Sequence, residues 1–179
     1  FGILHYKKSP GEKLCRALIK LGPSFIKFGQ LLSTRPDIIG YDLANALSIL
    51  QDKLPPFSKK KLHKIIKKEF SGKSAEIFKE FNYQAIAAAS ISQVHKARLH
   101  NNQEVAVKIL RPNIKKIFKR DIKFFYFIAN ILMIFKEARR LKIKEIIRLF
   151  EKTVNQELNL KIEAANASKF KQNLKFDKN

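Results

Sequence analysis

The chain has 179 residues, 45% of them hydrophobic, which is enough to bury an apolar core and excludes a disordered tail. With 6 glycines, 6 prolines and one cysteine, the composition argues against a turn-rich β-sandwich and a disulfide scaffold and favours packed helices. The net charge of +22 would attract phosphate groups of nucleotides, nucleic acids or lipids, although solvated helix faces account for it equally well. Because the lysines are scattered and no nucleic-acid-binding motif accompanies them, we do not expect nucleic acid as a partner.

The cysteine and histidine residues show no pattern of a metal centre. Cys15 is the only cysteine, and no group of cysteines and histidines has the spacing of metal ligands. We therefore expect no metal site and a reducing compartment. The first residues lack the charged, apolar and small-residue segments of a secretory leader, so a leader is not expected.

Glycine and proline divide the first half of the chain into short helices. Gly22 can end one helix and Pro23 suits the first turn of the next, which we expect to cover residues 23–33. Pro36 stops that helix, since the residue before a proline avoids helical geometry. Further helices are predicted over residues 43–50, from Ser58 to Gly72 and over residues 74–81, with a rigid proline connection at residues 54–57.

After Phe81 the period of the hydrophobic pattern changes from that of a helix to two. Residues 93–99 place Gln93 and His95 on one face, and residues 104–110 form a second run rich in β-branched side chains. A turn-forming His-Asn-Asn-Gln stretch joins the two runs. We predict that they pair as an antiparallel hairpin and that the rest of the chain is helical.

Two longer helices are predicted after the hairpin, over residues 113–135 and 144–170. The first contains the longest nearly uncharged apolar run, Phe124 to Phe135, which is shorter than the roughly 20 residues that span a bilayer. We expect a buried helix there, and its basic flanks also suit contact with an anionic membrane surface.

A loop of small side chains, Ala87-Ala88-Ala89-Ser90, precedes the hairpin, and the second strand contains Val-Ala-Val-Lys ending at Lys108. Small side chains let backbone N–H groups approach phosphates, and a lysine on the adjacent strand can reach the same anions. This arrangement is typical of a kinase N-lobe, in which a helix glutamate holds the lysine in an ion pair. Glu163 is the candidate glutamate. An exposed strand lysine and a solvated acid on a basic helix are the plainer interpretations.

The predicted helix over residues 23–33 contains a second candidate element. Lys27 and Gln30 lie about 60° apart on one face, beside an apolar stripe. The helix would pack through its aromatic residues and present the lysine and the amide to a neighbour, although any amphipathic helix shows this pattern. Glu157, in the last predicted helix, points about 120° away from Glu163 and therefore suits a different partner.

Several of these segments together resemble the UbiB family of atypical, ABC-one-type protein-kinase-like proteins. The K-x-G-Q signature of that family matches residues 27–30, and Leu-Gln-Asp-Lys-Leu-Pro-Pro at residues 50–56 is similar to the segment that follows it. The A-A-S-I-x-Q-V-H loop at residues 88–95 and the E-L-N and E-A-A-N segments within residues 157–166 match in order and spacing.

The resemblance implies an α+β fold in two parts. A mostly helical N-terminal extension with the K-x-G-Q motif would cover residues 1–81. The N-lobe of a protein-kinase-like fold, with a small antiparallel sheet and long αC-type helices, would cover residues 82–179. By motif position, Lys108 would be the nucleotide lysine and Glu163 its ion-pair partner. The phosphate loop would consist of Ala87, Ala88, Ala89 and Ser90. Lys27 and Gln30 would belong to the inhibitory helix, and Glu157 would be the acid that meets that helix. Asn159 stands where some relatives have aspartate.

The resemblance also implies ATP or ADP with Mg²⁺, ubiquinone biosynthesis with quinone-biosynthesis proteins or lipids as partners, and a peripheral place at the cytoplasmic face of the inner membrane. The chain contains no H-R-D and no D-F-G segment, which supply the magnesium ligands of kinases. We therefore expect the C-lobe to be missing or on a separate chain, and no phosphoryl transfer by this chain alone. A non-catalytic basic module that binds a membrane or a partner is the alternative.

Overall fold

The computed structural model describes residues 9–51 and 55–176, which belong to two compact units, Phe1–Pro112 and Asn113–Asn179. The described residues form helices and one small antiparallel sheet, so the expected α+β class is confirmed. The sheet belongs to the first unit. The expected division of the chain after residue 81 stays a prediction.

Short helices precede the sheet in the first unit. They are α1 Pro10–Leu21, α2 Pro23–Ser33, α3 Pro36–Ile39, α4 Tyr41–Ser48, α5 Lys59–Glu69 and α6 Ser74–Ile77, with a 3₁₀ turn at Ile49–Gln51. The helix predicted over residues 23–33 is confirmed. The helix predicted over residues 43–50 begins two residues earlier and tightens into the 3₁₀ turn at its end.

Local sequence sets the ends of α1. Ser9 and Glu12 form a capping box, in which the Ser9 hydroxyl accepts from the Glu12 N–H at 3.2 Å and the Glu12 carboxylate accepts from the Ser9 N–H at 3.3 Å. Gly22 ends the helix with a φ of 106°, a conformation that favours glycine. Pro23 then begins α2, as predicted.

Helices α1, α2 and α4, which with α3 we call the α1–α4 bundle, pack around an apolar cluster. The buried side chains of this cluster are Cys15, Leu18, Ile26, Leu47 and Leu50. Gly29 of α2 faces the cluster, and a Cβ at this position would overlap a δ-carbon of Leu50 and lie 2.8 Å from one of Leu18. Gly11 of α1 approaches the Cβ of Ala46 in α4 in the same way. The two glycines therefore allow the helices to pack closely.

Three antiparallel strands form the sheet in the order β1-β2-β3. They are β1 Phe78–Ala88, β2 Ser92–Leu99 and β3 Glu104–Leu110. In the β2–β3 pair, Gln93 lies opposite Ile109 and Arg98 lies opposite Glu104. The predicted hairpin is therefore confirmed in both its strands and its pairing.

Strand β1 is missing from the sequence-based prediction, and the expectation of helices elsewhere is wrong at this point. The helix predicted over residues 74–81 ends at Ile77, and the chain then extends from Phe78 to Ala88. Phe81 and Tyr83 pack against the cluster under α5, while Asn82 between them is exposed. This alternation is a strand pattern. Packing against α5 and pairing with β2 override the i,i+3 spacing of Phe78 and Phe81, which by itself favours a helix.

Helix α5 covers one face of the sheet. Leu62 and Ile66 of α5 are buried together with Ile109 of β3, and the half-buried side chains of Phe81 and Val107 pack against them. The opposite face, which we call the open face, lies away from this cluster. Its side chains on the two hairpin strands include Val94, Lys96, Ala106 and Lys108, of which all but the half-buried Val94 are exposed.

The second unit consists of α7 Ile114–Leu132, α8 Lys136–Arg140, α9 Ile143–Glu157 and α10 Leu160–Phe176. Helices α7 and α9 pack through aromatic rings: the centroid of Phe150 lies 5.7 Å from that of Phe125 and 6.1 Å from that of Phe118. All three rings are buried. Such ring pairs add to the stabilisation that burial itself supplies.

The single helix predicted over residues 144–170 is wrong, because the chain breaks between α9 and α10 at Leu158 and Asn159. The Asn159 side chain accepts a hydrogen bond from the Lys161 N–H at 3.2 Å, which is the bond an N-cap residue makes. Asparagine favours such a cap over a helix interior because its amide competes for nearby backbone groups. Glu157 and Glu163 consequently lie on different helices, and the angle expected between them on one helix does not apply.

The apolar run from Phe124 to Phe135 is only partly buried, unlike the buried helix we expected. Phe125 and Ala129 face the core of the second unit. Exposed apolar side chains follow one another at helical spacing along the other side of α7, at Phe124, Phe127, Ile128 and Ile131. No helix in the part of the chain that the structure describes is long and apolar enough to cross a membrane.

Candidate functional site

The alanine-rich segment divides between a strand and a loop. Ala87 and Ala88 belong to β1, where they pair with Val94 and Gln93, so the expectation that they form a turn is wrong. The loop itself consists of residues 89–91, with Ala89 exposed and Ser90 buried. It is closed by a hydrogen bond from the Ala89 N–H to the Ser92 carbonyl at 2.8 Å.

The strands bring Ala87 and Lys108 into one row across the sheet. Ala87 of β1 pairs with Val94 of β2, and Val94 pairs with Lys108 of β3. Directly paired residues of an antiparallel ladder point to the same face, so the three side chains share the open face. Two strand spacings separate the outer members by about 10 Å. The register shifts between Ala85 and Ala87, and such bulges re-aim side chains at the ends of strands.

Arg111, which directly follows β3, holds both ends of the loop. Its Nε donates to the Ala89 carbonyl at 2.9 Å, and its backbone N–H donates to the Ile91 carbonyl at 2.8 Å. A guanidinium N–H donates to the Pro55 carbonyl at 2.8 Å. Arg111 therefore joins the loop to the segment that leads into α5. Burial lowers the pKa of its guanidinium, which nevertheless stays protonated at neutral pH.

A second polar connection runs beneath the sheet through Gln93 and His95, whose side chains are buried. The Phe57 N–H donates to Gln93 Oε1 at 2.9 Å, so the amide nitrogen of Gln93 faces His95 Nε2, 2.8 Å away. His95 Nδ1 lies 2.9 Å from the Asn82 carbonyl, which can only accept. The chain of donors and acceptors is consistent only with a hydrogen on Nδ1 and none on Nε2.

The K-x-G-Q motif lies in α2, where its glycine and glutamine serve the packing of the bundle. Gln30 Nε2 donates to the Leu50 carbonyl at 2.6 Å, so part of the amide is used inside the bundle rather than presented to a neighbour. Gly29 is buried against the leucines of the cluster. Lys27 is half-buried. The regulatory roles expected of Lys27 and Gln30 stay predictions.

The two candidate acids lie in the second unit. Glu157 is the half-buried last residue of α9, and Glu163 is exposed in the first turn of α10. Lys108 and Lys27 belong to the first unit. The expected pairs of Lys108 with Glu163 and of Lys27 with Glu157 therefore stay predictions.

A groove of about 640 Å³ lies along α7 and α9 within the second unit. Lys115, Lys119 and Lys123 line one side, and Tyr126 donates to a carboxylate oxygen of Glu151 at 3.0 Å. Burial and this hydrogen bond raise the pKa of the Tyr126 hydroxyl. The groove combines a basic wall with a half-buried phenol, and we assign no ligand to it.

Comparison with protein families places these features together. Residues 49–179 match the family model described as "ABC1 atypical kinase-like domain". The chain belongs to the ABC1 atypical kinase-like family. The match includes the sheet, Arg111 and both candidate acids, whereas α1 to α4 precede it.

Individual relatives extend the similarity of this ABC1-family chain through α1 to α4. It is 43% identical over 168 residues to "Probable protein kinase UbiB" of Marinobacter nauticus and 44% identical over 170 residues to that of Providencia stuartii. These matches cover 93% and 94% of this chain but 31% of each relative, so the chain spans about a third of the length of the curated relatives it matches.

A solved structure is also similar to the chain. The structure of Rv3197 with erythromycin, from Mycobacterium tuberculosis, is 30% identical with a TM-score of 0.52. The alignment covers 80% of this chain and 37% of that one. The observed sheet and helices are consistent with the N-lobe of a kinase-like fold, as expected.

Sequence reasoning missed Arg111 as a site residue and treated Gln93 and His95 only as strand positions. A signal was present for the last two, because they are the polar residues on the face of β2 that otherwise packs against the core. Arg111 gave no comparable signal, since its acceptors lie 22 and 56 residues away. Within residues 9–51 and 55–176, no group of three His, Cys, Asp or Glu residues is arranged to hold a metal ion.

Proposed function

We propose that this chain forms the nucleotide-binding lobe of an atypical kinase- or ATPase-like protein that supports ubiquinone biosynthesis. The observation that carries the proposal is the row of Ala87, Val94 and Lys108 on the open face of the sheet. The printed name of the bacterial relatives, "Probable protein kinase UbiB", supports the reaction class and the connection with ubiquinone.

The proposed ligand is ATP or ADP, with the adenine end over the open face and the phosphates near residues 87–90. Val94 offers apolar contact there, and Ala87 has no side chain beyond Cβ to block approach. Lys108 would contact the phosphates as a point charge, and Glu163 would orient the lysine through an ion pair. The lysine and the glutamate would thus bind and position, without donating or accepting the transferred group.

Transfer of a phosphoryl group needs more than this lobe. Mg²⁺ neutralises charge on the phosphates when it is bound with the nucleotide. The described residues provide no cluster that fits the ion, so we derive no step through it. We propose that metal ligands and a C-lobe come from the two thirds of the relatives' length that this chain does not span, on the same or a separate chain. Lys27, Gln30 and Glu157 would then regulate access, with α2 as the inhibitory helix.

Nucleotide affinity of the full-length protein that carries these residues tests the proposal. Lys108→Met is compared with Lys96→Met, which removes the same charge from the same face one row along the sheet, where Lys96 pairs with Glu104 at 2.8 Å. We expect Lys108→Met to weaken binding of a fluorescent adenine nucleotide about tenfold or more, as for loss of a charged contact, and Lys96→Met to leave it unchanged. Equal effects of the two variants, or no binding by the wild type, would contradict the proposal.

The exposed stripe of α7 favours a second role, contact with an anionic membrane surface. Phe127 is 59% exposed and Ile131 is 45% exposed, and lysines stand on the same helix at its N-terminal half. An apolar stripe flanked by basic residues suits an interfacial helix. Quinone-biosynthesis proteins or lipids at such a surface are the proposed further partners.

Vesicle sedimentation of the full-length protein separates this role from the first. We expect Phe127→Ser to reduce binding to anionic vesicles, whereas Asn130→Ser on the same helix has no effect. Binding to anionic vesicles without any nucleotide binding would favour the alternative of a non-catalytic basic module. Equal binding of both variants would exclude the stripe as the contact.

A further inference from the structure

The alanine-rich loop and the segment Pro55–Phe57 are held together by two separate polar connections. Arg111 donates to the carbonyls of Ala89 and Pro55, at 2.9 and 2.8 Å. Gln93, two residues beyond the loop, accepts from the Phe57 N–H at 2.9 Å. Arg111 and Gln93 therefore link the loop to the segment that precedes α5.

Arg111 also fixes how the peptide groups of the loop are turned. A trans peptide directs its carbonyl and its N–H to opposite sides. With the Ala89 carbonyl on the Arg111 side chain, the N–H of Ser90 points away from Arg111. The Ile91 carbonyl is taken by the Arg111 backbone N–H at 2.8 Å. Two loop carbonyls are thus turned toward one residue, and the N–H groups of the same two peptides, those of Ser90 and Ser92, are turned from it.

Turning carbonyls away matters for an anionic ligand. A carbonyl oxygen repels a phosphate oxygen, whereas a backbone N–H attracts it, so the orientation of the peptide after Ala89 decides whether the loop can receive phosphate. The guanidinium presents several donors in a fixed fork and can hold two carbonyls at once. A lysine at this position has one ammonium on a flexible stem and does not reproduce that geometry.

We propose that Arg111 is a positioning residue that holds the alanine-rich loop in its phosphate-receiving form and couples nucleotide binding to the Pro55–Phe57 segment. The inference rests on the proposed nucleotide site and deepens it. Coupling between sites is reciprocal. Nucleotide bound at the loop should therefore slow amide exchange in Pro55–Phe57, and a change that speeds opening of that segment should weaken nucleotide binding.

The test uses the full-length protein and three variants, Arg111→Met, Arg111→Lys and, as the control, Arg98→Met. Arg98 is a half-buried arginine of β2 that pairs with Glu104 at 3.1 Å. Amide hydrogen exchange is followed at Phe57 and at residues 89–92, without nucleotide and with ADP. We expect both Arg111 variants to speed exchange at the two segments about tenfold without ADP, while Arg98→Met does not.

Affinity for a fluorescent adenine nucleotide supplies the second measurement. We expect about tenfold weaker binding for Arg111→Met, no rescue by Arg111→Lys, and loss of the ADP-dependent protection of Phe57 that the wild type shows. Unchanged exchange at both segments in the Arg111 variants would show that Arg111 does not join the loop to Pro55–Phe57.

Faster exchange with unchanged nucleotide affinity would show that Arg111 joins the two segments but does not position the loop for nucleotide. If the wild type binds no nucleotide, the proposed function and the positioning role both fail, and the exchange without ADP still decides whether Arg111 joins the segments. Arg111→Lys keeps the charge and serves if Arg111→Met does not fold.

Discussion

The α1–α4 bundle and the β1–β3 sheet both carry residues of the family motifs, but they use them differently. In the bundle, Gly29 and Gln30 are occupied by packing and by a hydrogen bond to the Leu50 carbonyl. In the sheet, His95 is buried beneath α5, whereas Lys108 is exposed on the open face. Membership in a motif therefore does not identify a residue that meets a ligand. Burial and hydrogen bonding separate the residues that hold the fold from those that face outward.

The largest effect on stability is expected for the buried hydrogen bonds of His95 under the sheet. His95→Ala removes the ring, leaves the Asn82 carbonyl and the Gln93 amide without their partner, and opens a cavity. We expect the free energy of unfolding to fall by about 3 kcal/mol or more. Urea unfolding measures it. His100→Ala is the matched control, because His100 is exposed and makes one bond to the Ala75 carbonyl at 2.9 Å. Similar losses for both histidines would show that the buried hydrogen bonds of His95 stabilise the fold no more than the exposed bond of His100.

A smaller effect is expected from filling the glycine contacts of the bundle. In Gly11→Ala the new Cβ meets the Cβ of Ala46, which cannot rotate away, so α1 and α4 must separate. In Gly29→Ala it meets δ-carbons of Leu50 and Leu18, which can change rotamer, and alanine also favours the helix. We expect losses of about 2 kcal/mol for Gly11→Ala and about 1 kcal/mol for Gly29→Ala.

The order of these two losses, measured by the same urea unfolding, is the informative result. A larger loss at Gly29 would mean that the leucines around the K-x-G-Q glycine are less able to adjust than α1 and α4 are to separate. Stabilisation by both variants would show that helix propensity outweighs the close packing.

The smallest change concerns the thiol in the bundle core. Burial raises the pKa of Cys15, and its Sγ donates to the Ala46 carbonyl at 3.1 Å. A raised pKa means less thiolate at pH 8 than for a free cysteine, and the thiolate is the reactive form. We expect slow labelling by a disulfide reagent in the native protein and faster labelling in Gly11→Ala, in proportion to its lost stability. Rapid labelling of the wild type would show that the bundle opens readily.

The two regions also differ in how far sequence reasoning describes them. In the bundle, Gly22 and Pro23 mark the break between α1 and α2, because their backbone preferences are local. In the sheet, the β2–β3 hairpin follows from its alternation. Strand β1 was missed because Phe78 and Phe81 at its start have the i,i+3 spacing of a helix, and three register shifts interrupt its pairing with β2. Asn159 likewise ends a helix that the hydrophobic pattern alone would continue.

Residues of the candidate site could be proposed from the sequence only where a local pattern or the family resemblance marks them. Lys108 and the alanine-rich loop fall in that group. The roles of Arg111 and Gln93 depend on acceptors and donors far along the chain, at Pro55 and Phe57, and only the folded structure brings them together.

The central proposal is that Lys108 and Glu163 act together in binding adenine nucleotide. A double-mutant cycle on adenine-nucleotide affinity in the full-length protein, with Lys108→Met, Glu163→Gln and both together, tests it most directly. If Glu163 acts only by orienting Lys108, Glu163→Gln weakens binding in the wild type but has no further effect once Lys108 is methionine. Losses that simply add in the double mutant would contradict the account, because the two residues would then contribute independently.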